Sequence, residues 1–95
     1  TTIGSWAFQD CSNLKTVNIN KESQLKIIGV NAFNKCTSLK KIEIPNYVTT
    51  IKGGAFYNCS KLTIYIKEES QLKIVEEFAF QECKKLADPR ASELI

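Results

Sequence analysis

Four cysteines, Cys11, Cys36, Cys59 and Cys83, have the widest chemical range of any residues in this chain. A thiolate can bind zinc, attack a carbonyl or enter a disulfide. A zinc site needs close ligand pairs such as C-x-x-C, often completed by His, yet these cysteines stand 25, 23 and 24 residues apart and the chain has no histidine. The same lack leaves a nucleophilic thiol without its usual base. The neighbouring carboxylates Glu68-Glu69 and Glu76-Glu77 lie in polar stretches and read as solvated charges rather than an acid/base pair. Two carboxylates and a serine fall together in the link from Lys67 to Ser70, where a flexible polar arch competes with a weak cation site. Asn58-Cys59-Ser60 matches the N-glycosylation sequon, but its place in a packed turn argues against modification. No constellation here supports catalysis, and no metal or cofactor is expected.

The cysteines make sense as one column of a repeat. The stretches AFQDCSNL, AFNKCTSL, AFYNCSKL and AFQECKKL begin at Ala7, Ala32, Ala55 and Ala79 and share the template A-F-x-x-C-x-x-L. A period of this size marks a solenoid, in which each unit buries its apolar face against its neighbours. Ile3, Ile28, Ile51 and Val75 precede each Ala by four residues, and Leu25, Val48 and Leu72 stand three residues further back. Paired apolar positions follow the octapeptide, Val17/Ile19, Ile42/Ile44 and Ile64/Ile66. The copied links 20–24 and 67–71 read as loops, as does the shorter Pro45-Asn46-Tyr47.

These columns predict an α/β fold: a right-handed solenoid of about four coils, with a parallel β-sheet on one face and short helical turns on the other. The β-branched, alternating I-x-I cores suit strands with one buried side. A-F-x-x-C-x-x-L puts apolar groups at i, i+1, i+4 and i+7, as on one face of a short helix. Gly4, Gly29 and Gly53 fall just before this turn, where a chain reversal needs permissive backbone. Phe8, Phe33, Phe56 and Phe80 are expected to form a buried spine. Cysteines in adjacent coils would have Cα atoms about 5 Å apart, within disulfide range. Side chains pointing in parallel into one core are poorly aimed at each other, so four free thiols are expected.

The chain's 95 residues, 43% apolar and 24% charged, make at most one folded domain. Its net charge of +3 is spread along the chain, with Lys40-Lys41 and Lys84-Lys85 the densest spots, which argues against a nucleic-acid footprint. No apolar run approaches the roughly 18 to 20 residues needed to span a membrane. No secretory signal is visible, but Thr1 begins in mid-repeat, which points to a fragment of a longer array.

The unit from Leu39 through Ile42, Ile44, Pro45, Val48, Ile51, Ala55, Phe56 and Cys59 to Leu62 resembles the BspA-like, or Treponema-type, leucine-rich repeat. The resemblance covers residues 1–86 and makes the expected fold a leucine-rich-repeat solenoid. Only Pro45 keeps the family's proline after the strand, and residues 87–95 leave the pattern, as a non-native or disordered tail would. The resemblance implies a non-catalytic recognition module at a cell surface or outside the cell, attaching to host or neighbouring-cell proteins. A structural spacer and an accessory region of an enzyme are the alternatives.

A partner would meet the strand residues that flank each inward Ile. They form the columns Thr16/Lys41/Thr63, Asn18/Glu43/Tyr65 and Asn20/Pro45/Lys67, with Tyr65 the single large aromatic. The candidate binding residues are Thr16, Asn18, Lys41, Glu43, Thr63, Tyr65 and Lys67. Four strands of five residues would offer only about 320 Å², against the ~800 Å² that each partner gives to a standard interface. Trp6 and Phe78 occupy the position before Ala in the outermost repeats. They either lap over the ends of the core or mark end-to-end self-association.

Overall fold

The computed structural model of the chain describes residues 1–20 and 22–83. Its six strands, in chain order, are β1 (Thr2–Ile3), β2 (Ile27–Ile28), β3 (Lys41–Ile44), β4 (Thr50–Ile51), β5 (Thr63–Ile66) and β6 (Ile74–Val75). Two parallel sheets result where one was expected. The first joins β1-β2-β4-β6, and the second pairs β3 with β5. Equivalent residues of successive repeats stand in register, Ile3↔Ile28, Ile28↔Ile51 and Ile51↔Val75 in the first sheet and Ile42↔Ile64 in the second. The sequence register is therefore also the spatial register.

The second sheet is narrower than the I-x-I pattern predicts. The Thr16–Ile19 segment contributes only one bridge, Thr16↔Lys41, and forms no strand. Val17 and Ile19 are only partly buried, whereas Ile42, Ile44 and Ile64 are almost wholly covered. A strand with one neighbour and a half-wet apolar side has less to hold its pairing.

The A-F-x-x-C segment is not helical, and no helix occurs among the described residues. It is a series of turns whose N–H groups alternate in direction. In the first repeat the Ala7, Gln9 and Cys11 amides donate back three residues, to the Gly4, Trp6 and Phe8 carbonyls. The intervening Trp6, Phe8 and Asp10 amides donate across to Val30, Ala32 and Asn34 of the next coil, at 2.9, 2.7 and 2.8 Å. The scheme repeats from Asn31, Phe33 and Lys35 to Gly53, Ala55 and Tyr57, and from Gly54, Phe56 and Asn58 to Glu77, Ala79 and Gln81. A helix would spend all of these donors within one coil. Left-handed backbone at Trp6 and Asp10, Asn31 and Lys35, Gly54 and Asn58, and Phe78 and Glu82 turns alternate amides outward instead.

Gly29 has a different task from the chain reversal read in the sequence. A Cβ there would lie 2.6 Å from the Ile3 carbonyl oxygen, so glycine permits the close approach of two coils. The core runs through the columns of Leu25, Ile28, Phe33, Leu39, Ile42, Val48, Ile51, Phe56, Leu62 and Ile64. The phenylalanines stack as a spine, with centroids 5.2 Å apart for Phe8–Phe33 and Phe33–Phe56 and 5.7 Å for Phe56–Phe80. The expected tail 87–95 lies outside the described residues.

Candidate functional site

The thiols are all free, and each of the last three has a partner that the sequence does not announce. Cys36 Sγ donates to the Phe8 carbonyl at 3.1 Å, Cys59 to Phe33 at 3.0 Å and Cys83 to Phe56 at 3.0 Å. Each of these carbonyls also accepts the amide of the cysteine three residues on in its own coil. The cysteine column thus fills the second lone pair of the phenylalanine column, as a small apolar side chain could not. Burial pushes the Cys36 and Cys83 thiols up to about 11 and Cys59 up to about 12, while a backbone hydrogen bond at the cysteine of the preceding coil acts in the opposite direction. Groups so reluctant to ionise are poor nucleophiles and poor metal ligands. The serines of the two long links are likewise structural, since the Leu25 and Leu72 amides donate to Ser23 Oγ and Ser70 Oγ at 3.0 and 3.1 Å.

The outer face of the β3–β5 sheet gathers most of the candidate binding residues. Lys41 pairs with Thr63 and Glu43 with Tyr65, and Thr16 bridges to Lys41, so two of the three columns are brought into contact in the expected order. Alternation buries Ile42, Ile44, Ile64 and Ile66 and turns Lys41, Glu43 and Tyr65 to solvent. Tyr65 is 51% exposed. Asn18 joins no strand but lines, with Lys41, Glu43 and Tyr65, a shallow depression of about 170 Å³. Lys67, just past β5, reaches back to Glu43, with Nζ 3.0 Å from Oε1. Both partners of that pair are about half exposed, so it fixes orientation more than it adds stability.

The third column does not act as one surface. Pro45 is buried, whereas Asn20 and Lys67 are exposed. Trp6 and Phe78 are 56% and 60% exposed, so each has more than half of its surface in solvent. Both hold left-handed backbone, with φ of 66° and 64°. A second and larger groove, lined by residues of three successive turn segments, lies away from the strand face. The sequence does carry its signal, the doubled glycine at Gly53-Gly54. Among the described residues no three acidic or thiol side chains converge as a metal site would require, and no helix is long and apolar enough to cross a membrane.

Parallel coils stacked in register on columns of Leu, Ile and Phe define a leucine-rich repeat protein, a class that generally serves protein interaction. The profile of the BspA type Leucine rich repeat region matches residues 1–93 in six copies, and the chain belongs to that family. It is similar to a leucine-rich repeat protein from Bacteroides ovatus, with 32% identity and a TM-score of 0.77 over 90% of this chain and 21% of that one. It is also similar to the leucine-rich repeat protein of T. pallidum, with 25% identity and a TM-score of 0.68 over 90% of this chain and 50% of that one. The chain thus spans half or less of either relative's length. No curated protein matches it significantly in sequence.

Proposed function

We propose that this chain is a non-catalytic recognition module of the adhesin type, displayed at a cell surface or outside the cell, whose partner is a protein of a host or neighbouring cell. The observation that carries the reading is the in-register display of Lys41, Glu43, Thr63 and Tyr65 on one exposed strand face, with Asn18 and Lys67 beside them. Tyrosine beside a basic and an acidic side chain is a composition that concentrates binding energy and orients a partner. The paired part of the face is small. Two strands of four residues cover about 130 Å², so the partner's footprint extends along the stack and over Thr16 and Asn18. In this reading residues 1–86 act as one array and residues 87–95 stand apart from it.

The test is capture of solubilised host-cell and neighbouring-cell surface proteins on immobilised chain, repeated with Lys41, Glu43 and Tyr65 all changed to Ala. A drop in affinity of ten-fold or more supports the reading. Unchanged binding removes this face from recognition, and an inability of either form to retain any protein leaves the coils as a structural spacer.

A further inference from the structure

The columns of the turn segments break at one place. The two residues before each repeat's Ala are Val30-Asn31 and Glu77-Phe78 in the flanking coils, but Gly53-Gly54 between them. Two missing side chains in one coil leave a notch, and an open groove of about 520 Å³ lies over it. Gly54 is buried at the floor with φ +68°, and a Cβ there would collide with Asn31 Oδ1. That oxygen also accepts a hydrogen bond from Asn34 Nδ2 at 2.9 Å. The bond fixes both amides, leaving Asn34 Oδ1 as an acceptor and Asn31 Nδ2 as a donor. Gln81 adds a third amide at the rim and Glu77 a carboxylate. Phe78 holds its ring 60% exposed on left-handed backbone, a conformation that bulky residues seldom keep.

We propose that this notch binds a neutral carbohydrate. Sugar hydroxyls both donate and accept, and three amides with one carboxylate match that character. The apolar C–H face of a sugar ring suits the exposed Phe78 ring and the half-buried Tyr57. The volume falls within the ~300 to 1,000 Å³ of small-ligand sites. An apolar ligand would leave the amides without partners. An anionic one would face Glu77 with no cation among the described lining residues. A basic peptide side chain would satisfy Glu77 and the rings but leave the fixed amide pair idle.

The experiment is a two-dimensional amide NMR titration of the 95-residue chain. The probes are neutral gluco-, galacto- and manno-configured di- to tetrasaccharides, with a Lys/Arg-rich peptide in parallel. At least one sugar series is expected to shift the Asn31, Gly53, Gly54 and Phe78 amides. Gly53→Val restores the residue type of Val30, and its Cβ meets nothing nearer than the Glu77 carbonyl oxygen at 3.4 Å. It is expected to weaken sugar binding ten-fold or more. Gln81→Ala, at an exposed rim position, is expected to weaken it about three-fold and carries the test if valine disturbs the coil. Unmoved amides with every sugar, equal affinity in both variants, or shifts with the peptide alone would overturn the proposal.

Discussion

Phe33→Ala tests the stacked core most directly. Phe33 is fully buried, and its ring is sandwiched between Phe8 and Phe56 at 5.2 Å on each side, with interplanar angles of 10° and 2°. Truncating a buried Phe costs about 3 to 5 kcal/mol. Losing two stacked neighbours places Phe33 at the upper end, since each aromatic pair is worth ~0.5 to 1.5 kcal/mol beyond its buried area. A chain of this length has on the order of 5 to 14 kcal/mol in total. At a urea dependence of about 1 to 3 kcal/mol per molar, the midpoint should fall by roughly 2 M. Phe8 has one stacked neighbour and is 41% exposed, so Phe8→Ala should cost less than half as much. Urea titrations followed by circular dichroism read both. Equal midpoint losses for Phe8→Ala and Phe33→Ala, or a Phe33→Ala midpoint close to wild type, would refute the spine as a continuous source of stability.

Four further outcomes are expected. Cys59→Ala loses the hydrogen bond to the Phe33 carbonyl and should destabilise by about 2 kcal/mol, whereas Cys11→Ala, whose thiol donates to no preceding coil, should cost less than half of that in the same titrations. Lys35 sits at φ 63°, so Lys35→Gly should raise stability by about 1 kcal/mol and Lys35→Val should lower it, as thermal melts would show. Because the folded-state pKa values of Cys36, Cys59 and Cys83 lie above the ordinary 9.0, the stability these thiols contribute is fully present below pH 9 and is lost as the pH rises towards 11 and 12. Urea midpoints should therefore fall above pH 9, and a Cys59→Ala variant should fall less steeply. Sedimentation should show concentration-dependent association of the wild-type chain that Trp6→Ser weakens, and a monomer at high micromolar concentration would contradict an end contact through this exposed ring.

The apolar columns were legible because a stacked coil repeats every contact at the same offset. Ile28↔Ile51 follows directly from alignment on the Ala-Phe pair, and Ile42↔Ile64 follows once the residue missing between Leu62 and Ile64 is allowed for. The turn segment is harder to read because i, i+1, i+4 and i+7 spacing describes a helical face and also a run of tight turns whose alternate amides reach the next coil. The discriminating residues stand just before each cysteine, Asp10, Lys35, Asn58 and Glu82, all in left-handed backbone. Asn and Asp favour that region through their short polar side chains, but Lys and Glu carry no such preference, which hides the pattern. The sheet of Thr2–Ile3, Ile27–Ile28, Thr50–Ile51 and Ile74–Val75 escaped because two residues cannot display an alternation. The display of Lys41, Glu43, Thr63 and Tyr65 was readable from strand periodicity, whereas the return of Lys67 to Glu43 depends on a side-chain path past the strand end. The notch at Gly53-Gly54 depends on what its neighbours retain, a comparison between coils rather than along one.

The one-way row of amides reaching from each turn to the next coil governs how the molecule would yield to mechanical force. Tension between the two chain ends peels the outermost coil and loads a few of its bonds at a time, instead of shearing every coil at once. Each released coil of about 24 residues would pay out roughly 80 Å of extended chain. A force–extension trace would then be a series of small, evenly spaced steps rather than one rupture. A stack built this way lengthens under drag while its remaining coils stay folded.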